Sequence, residues 1–174
     1  LLKTKLGDDN ELSLLVDQGS GSIREKFQYK EDFFISPRGL TGSIEIQAPV
    51  VFGGYGITAK EFGYNDYSNI VVKNSIVLII DGEPELDNPN LFNGSKNTRY
   101  SDLRQKLDAA KSNGAAAILV ASNPRSDELF SDKFKQWKNW LRREGMSLPS
   151  SAATVPVFTI SEPTADRIVA TSGK

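Results

Sequence analysis

The sequence predicts a mixed α/β domain, and three observations carry that prediction. Ser75 to Ile80, Ala115 to Ala121 and Val155 to Ile160 are short, almost wholly apolar runs, the pattern of strands buried on both faces. Segments of helical character follow each of them, so strand and helix alternate and the crossovers should be right-handed. Short alternating segments ahead of residue 53 add further strands, which makes the sheet mixed rather than purely doubly wound.

The elements are justified in order along the chain. Leu12-Ser13-Leu14-Leu15-Val16 and Phe33-Phe34-Ile35 read as short strands between turn clusters such as Gly7-Asp8-Asp9-Asn10 and Gly19-Ser20-Gly21-Ser22. Ile44, Ile46, Ala48, Val50 and Phe52 recur at a spacing of two, which predicts a strand with that face buried. Pro49 places this strand at an edge, because proline cannot donate to the ladder. Gly53-Gly54-Tyr55-Gly56 breaks it. Tyr100, Leu103, Leu107 and Ala110 line one face of a helix that stops at Asn113-Gly114, with glycine as the left-handed cap. A polar helix is predicted over 127–144, and Ser161 caps a last helix containing Ala165, Ile168 and Val169.

Composition narrows the function classes. The chain has 174 residues, enough for one core, and 21 Lys+Arg against 22 Asp+Glu, so the basic surplus of a nucleic-acid binder is missing. No apolar run approaches the roughly 20 residues that span a bilayer. There is no His and no Cys. That excludes disulfides, thiolate zinc sites, cysteine nucleophiles, the Ser-His-Asp triad and the His-based catalytic zinc sets. The first residue is Leu1 and the only methionine is Met146, from which the chain reads as a piece of a longer polypeptide.

Three stretches invite a functional reading. Gly54-Tyr55-Gly56-Ile57-Thr58-Ala59 has the G-x-G-x-x-A spacing of a dinucleotide-binding turn. The residues after it carry no helical stripe, so a tight glycine turn is the better reading and a nucleotide- or cofactor-binding site at Gly54–Ala59 the alternative. Asp81 to Asp87 sets oxygen donors at alternate positions, but an EF-hand loop needs Gly and Glu where this chain has Leu86 and Phe92. An irregular calcium loop and a solvated acidic loop both remain open there. Phe130, Phe134, Trp137 and Leu141 form one stripe on the 127–144 helix, with Trp140 beside it. Such a stripe either packs on its own domain or presents a docking surface.

Ala48-Pro49-Val50-Val51-Phe52-Gly53-Gly54-Tyr55-Gly56-Ile57, followed by Glu61 to Tyr67, resembles the start of the protease-associated (PA) domain found in di-zinc peptidases of the aminopeptidase/glutamate carboxypeptidase type. Val72 to Ile79, Lys106 to Val120 and Val155 to Ser161 resemble further blocks of that family in the same order. The resemblance covers about residues 48 to 170. It departs at Asn74, where the family often has Gly, and at the 127–144 helix, a variable loop in relatives.

The resemblance implies a β/β/α sandwich with a central mixed sheet flanked by helices, with residues 48–174 as the PA domain and 1–47 as lead-in strands bordering a catalytic domain. It implies a chain without catalytic residues, cofactor or metal of its own, zinc being held by the absent catalytic domain. That domain and a peptide or protein substrate are the implied partners, with neither nucleic acid nor a membrane span in this segment, and a secreted, periplasmic or cell-envelope location. Tyr64, Tyr67, Trp137 and Trp140 are the candidate contact surface.

Overall fold

The computed structural model describes residues 2–4, 7, 9–17, 21–36, 40, 42–84, 92–94, 96–126, 128–141, 145–147 and 155–171. Eleven strands are present among them: β1 (Leu2–Thr4), β2 (Leu12–Asp17), β3 (Ser22–Phe27), β4 (Phe33–Ile35), β5 (Val50–Phe52), β6 (Thr58–Ala59), β7 (Tyr64–Asn65), β8 (Ile76–Ile80), β9 (Ala117–Ala121), β10 (Gly145–Ser147) and β11 (Val157–Ile160). The helices are α1 (Leu103–Ser112), α2 (Phe130–Leu141) and α3 (Glu162–Thr171).

The three apolar runs form the middle of a five-stranded sheet in the order β4-β11-β9-β8-β5. β5, β8, β9 and β11 run parallel and β4 antiparallel, so the sheet is mixed as the sequence predicts. Every residue of β9, the middle strand, is buried, because helices cover both of its faces. On one face Val77, Ile79, Ile118 and Val120 pack against Ala110, Leu103 and Leu107 of α1. On the other, Leu78, Leu119 and Ile160 pack against Ile168 of α3, with Leu12, Leu14 and Phe27 of the β2–β3 hairpin closing that side.

Phe33–Ile35 falls within the 1–47 segment but is the outer strand of this sheet, pairing Phe34 with Thr159. Its alternation sends Phe33 and Ile35 to the α3 face and Phe34 against α2. Phe34 lies 5.4 Å from Phe130 and 5.8 Å from Phe134, ring centre to ring centre. Much of the aromatic stripe on α2 is therefore spent on packing within the domain. Glu162 at the start of α3 accepts the Phe130 amide at 2.9 Å and so fixes the beginning of α2.

Two expectations are corrected. On the face predicted to be buried on the Ile44–Phe52 strand, Ile46 and Ala48 are half-buried, but Ile44 is 47%, Val50 37% and Phe52 52% exposed. Val51 turns inward instead and packs against the α1-side core. Ser43, Glu45 and Gln47 make the opposite face polar farther back, but at Val50–Phe52 both faces are apolar, so periodicity alone could not choose between them there, and only these three residues pair, at the edge where Pro49 places them. The 127–144 helix is Phe130–Leu141 among the described residues, and the chain at Gly145–Ser147 pairs antiparallel with β1.

Two helix-end and turn signals were legible. α1 ends at Asn113 and Gly114, with Gly114 at φ 83°. Asn74, where the resembled family often has Gly, lies at φ 60°, a left-handed position that asparagine tolerates better than most residues. A Cβ at Gly114 would stand 3.3 Å from Lys73 Cγ. Gly114→Ala is expected to cost about 1–2 kcal/mol, read as a lowered midpoint in thermal unfolding.

Candidate functional site

The glycine-aromatic segment from Gly53 to Tyr67 is shaped by one carboxylate. Asp66 Oδ2 accepts the amides of Tyr55 at 3.1 Å and Ile57 at 2.9 Å, and its Oδ1 accepts the Tyr64 hydroxyl at 2.8 Å. Gly54 has φ 55°, and a Cβ there would fall 2.5 Å from Asp66 Oδ1, so only glycine fits. After this turn the chain enters β6 and a single 3-10 turn over Lys60–Phe62, not an α-helix. The nucleotide alternative at Gly54–Ala59 is thereby corrected: no helix N-terminus is presented, and two amides of the turn are held by Asp66.

A second tie comes from Lys106, which is wholly buried on α1. Its Nζ donates to Tyr55 O at 2.6 Å and to Gly82 O at 2.5 Å, joining the glycine turn to the end of β8. Burial pushes its pKa down to about 8, against the opposing pull of Asp81, Asp66 and Glu83. Glu83, also buried, accepts the Thr98 amide at 3.1 Å and the Thr98 hydroxyl. Sequence reasoning missed Lys106, although a signal was present: it shares a helical face with Leu103, Leu107 and Ala110.

The predicted contact residues are not gathered at one place. Tyr64 is half-buried against Ile57, Ala59, Phe92 and Tyr100. Tyr67 is in the α1-side core at 6% exposure, so it offers no surface for contact. Its hydroxyl has no hydrogen-bond partner among the described residues, and burial, with the nearby Asp66 charge, raises its pKa. Trp137 is 38% exposed on α2, and the Trp140 side chain lies outside the described residues.

The acidic loop is described only as far as Pro84, and 85–87 lie outside the described residues. Asp81 pairs with Lys133 at 2.5 Å and Glu83 with Thr98, so neither described carboxylate is open to calcium. Among the described residues no three His, Cys, Asp or Glu side chains converge on a metal position. Zinc does not fit this donor set, because the chain has neither His nor Cys and the buried carboxylate among the described residues, Glu83, is committed to Thr98.

An open groove of about 440 Å³ lies at the carboxyl ends of β5, β8 and β9, against α3. Phe52, Ile80, Ala121, Ala165 and Val169 give it apolar walls, with Ser122 and the acidic Glu162 and Asp166 among its lining. Sequence reasoning did not find it, because its walls come from four separate elements. No helix among the described residues is long and apolar enough to cross a membrane.

Fold and site together define a mixed α/β domain in which buried ionisable groups tie loops to the sheet and an apolar groove stands open beside α3. The sequence model of the PA domain family matches residues 46–168, and the chain belongs to that family. Among solved structures, the aminopeptidase from Aneurinibacillus sp. strain AM-1 shares the fold with a TM-score of 0.50 at 15% identity. The likeness covers 97% of this chain and 28% of that one, so the chain spans little more than a quarter of its structural neighbour. No curated protein matches the sequence.

Proposed function

We propose that this PA domain is a non-catalytic part of a longer zinc-dependent aminopeptidase, where it governs peptide access or makes peptide contacts. The observation that carries this reading is the family match over 46–168 together with a fold shared, over nearly the whole chain, with part of an aminopeptidase. The chain's own chemistry agrees. Its strongly perturbed groups, Lys106 and Tyr67, are enclosed in the scaffold, where neither meets a substrate. The zinc of this reading belongs to a catalytic domain outside these residues, and the resemblance to secreted and envelope peptidases supports a secreted or envelope setting.

The test has two arms. The 174-residue chain is expected to release no product from aminoacyl p-nitroanilides and to bind no zinc by calorimetry; activity or stoichiometric zinc would overturn the reading. In the parent polypeptide, removal of this domain is expected to change kcat/KM for long peptides more than for a single aminoacyl anilide. Equal effects on both would show that it plays no part in access.

A further inference from the structure

The chain contains two Asn-Gly pairs, Asn93-Gly94 and Asn113-Gly114. With no Cβ on the second residue, its backbone nitrogen can approach the asparagine side-chain carbon without crowding. Every other asparagine is followed by a residue with a side chain, or by proline, which has no N–H to lose. Asn93 and Asn113 are both exposed, so access to water does not separate them.

Hydrogen bonding does. At the end of α1, Asn113 Nδ2 donates to Ala109 O at 2.8 Å, and the Gly114 amide donates to Lys111 O at 2.9 Å. Both the leaving group and the attacking nitrogen are therefore held at this pair. At the other, neither the Asn93 side-chain amide nor the Gly94 amide has a hydrogen-bond partner among the described residues. Gly94 is buried, so closing a ring through its nitrogen removes a buried donor without sacrificing a bond. The turn itself is loose: Asn93 O accepts the Lys96 amide at 3.3 Å, with Gly94 at φ 61°.

We propose that Asn93 is a site of spontaneous deamidation. The Gly94 nitrogen attacks Asn93 Cγ, the bond from Cγ to Nδ2 breaks, and ammonia leaves with the proton that Gly94 gives up. A cyclic imide remains. Water then adds to one of its two carbonyls and opens the ring, giving aspartate if the bond at Cγ is cleaved and isoaspartate if the main-chain bond is. No oxidant or reductant enters either step.

The position gives the change a structural consequence. Phe92, the preceding residue, is buried with its ring centre 4.9 Å from Phe62, 5.2 Å from Tyr64 and 6.1 Å from Tyr100. That aromatic cluster holds Ile57 and Ala59 of the glycine-aromatic segment. Isoaspartate inserts an extra backbone carbon directly after Phe92 and turns the carbonyl that accepts the Lys96 amide into a free carboxylate. Aspartate adds a charge and leaves the backbone as it was. Deamidation through isoaspartate therefore loosens the cluster, whereas the charge alone does not.

The experiment incubates the 174-residue chain at mildly alkaline pH, folded and in urea, and follows each asparagine by mass spectrometry of its peptides. In the folded chain Asn93 is expected to convert about thirtyfold faster than Asn113, which must first break two hydrogen bonds. In urea the two rates are expected to converge, because both asparagines precede glycine. An isoaspartate-specific methyltransferase should label residue 93 of the aged chain, and the aged chain should unfold at a lower temperature than the fresh one. Asn93→Gln, whose longer side chain closes the ring far more slowly, should keep its midpoint on ageing. Asn93→Asp should match the midpoint of the fresh chain.

Equal rates at the two pairs in the folded chain would overturn the proposal, as would earlier conversion at any other asparagine. So would an Asn93 that converts in urea and stays intact when folded. An aged chain that carries isoaspartate at 93 and unfolds at the original temperature would overturn its link to the aromatic cluster.

Discussion

Truncating Lys106 to alanine is expected to cost about 4 kcal/mol, because it opens a cavity and strips two half-buried carbonyls of their ammonium donor. The side chain is fully buried, and its Nζ holds Tyr55 O and Gly82 O. Lys106→Met keeps most of the volume and removes the donor, so about half of that loss is expected from it. Urea unfolding of the two variants separates packing from hydrogen bonding. Losses under about 0.5 kcal/mol in both would show that the turn and the end of β8 hold without this tie.

The same residue gives a pH signature. Its native pKa of about 8 lies below its ordinary 10.5, so between these values the unfolded chain binds the extra proton and stability rises with pH. The full rise is on the order of 3 kcal/mol, and below pH 8 none of it is present. Tyr67 acts in the opposite sense. Its buried hydroxyl titrates above the ordinary 10.0, so above pH 10 the unfolded chain loses a proton that the native one keeps, and stability falls. A maximum near pH 10 is expected in unfolding measured from pH 7 to 11. Lys106→Met should lack the rise and Tyr67→Phe the fall; an unchanged curve in either variant would remove that residue from the account.

Asp66→Ala is expected to lower stability by about 3 kcal/mol, since two amides and a tyrosine hydroxyl lose one shared acceptor. Asp66→Asn retains an oxygen for the amides and should cost about 1 kcal/mol. Gly54→Ala offers an independent check, because its Cβ would collide with that same carboxylate. Alone it should cost about 2–3 kcal/mol, from the clash and from φ 55°. On the Asp66→Ala background the clash is gone, so the two losses should fall short of additive by about 1 kcal/mol or more. Strict additivity would mean that Asp66 does not shape the turn.

These two residues show unequally what could be read from the chain alone. Gly54 was visible as a turn glycine, but the reason it must be glycine is Asp66, twelve positions on and beyond the β6–β7 hairpin. Lys106 was visible as a charge on an apolar helical face, yet its partners belong to loops far from it in sequence. The stripe on α2 was legible as a stripe. That it packs chiefly on Phe34, from a strand about a hundred residues earlier, was not. The groove left no trace, since each of its walls reads as an ordinary apolar residue.

The sequence by itself determined the strands of the five-stranded sheet, β2 and the three helices, because apolar runs and helical spacing are local properties of the chain, whereas β1, β3, β6, β7 and β10 carried no such signal. It determined the mixed character of the sheet through the strands ahead of residue 53, and the stop at Gly114 and the edge position of β5 through the conformational limits of glycine and proline. Only the tertiary structure decided which apolar face is buried. Val51 and Phe52 are equally hydrophobic neighbours, and what separates them is that α1 covers one side of the sheet at β5 while the other side is left open. Burial belongs to the packing of distant elements, and no residue carries that information alone.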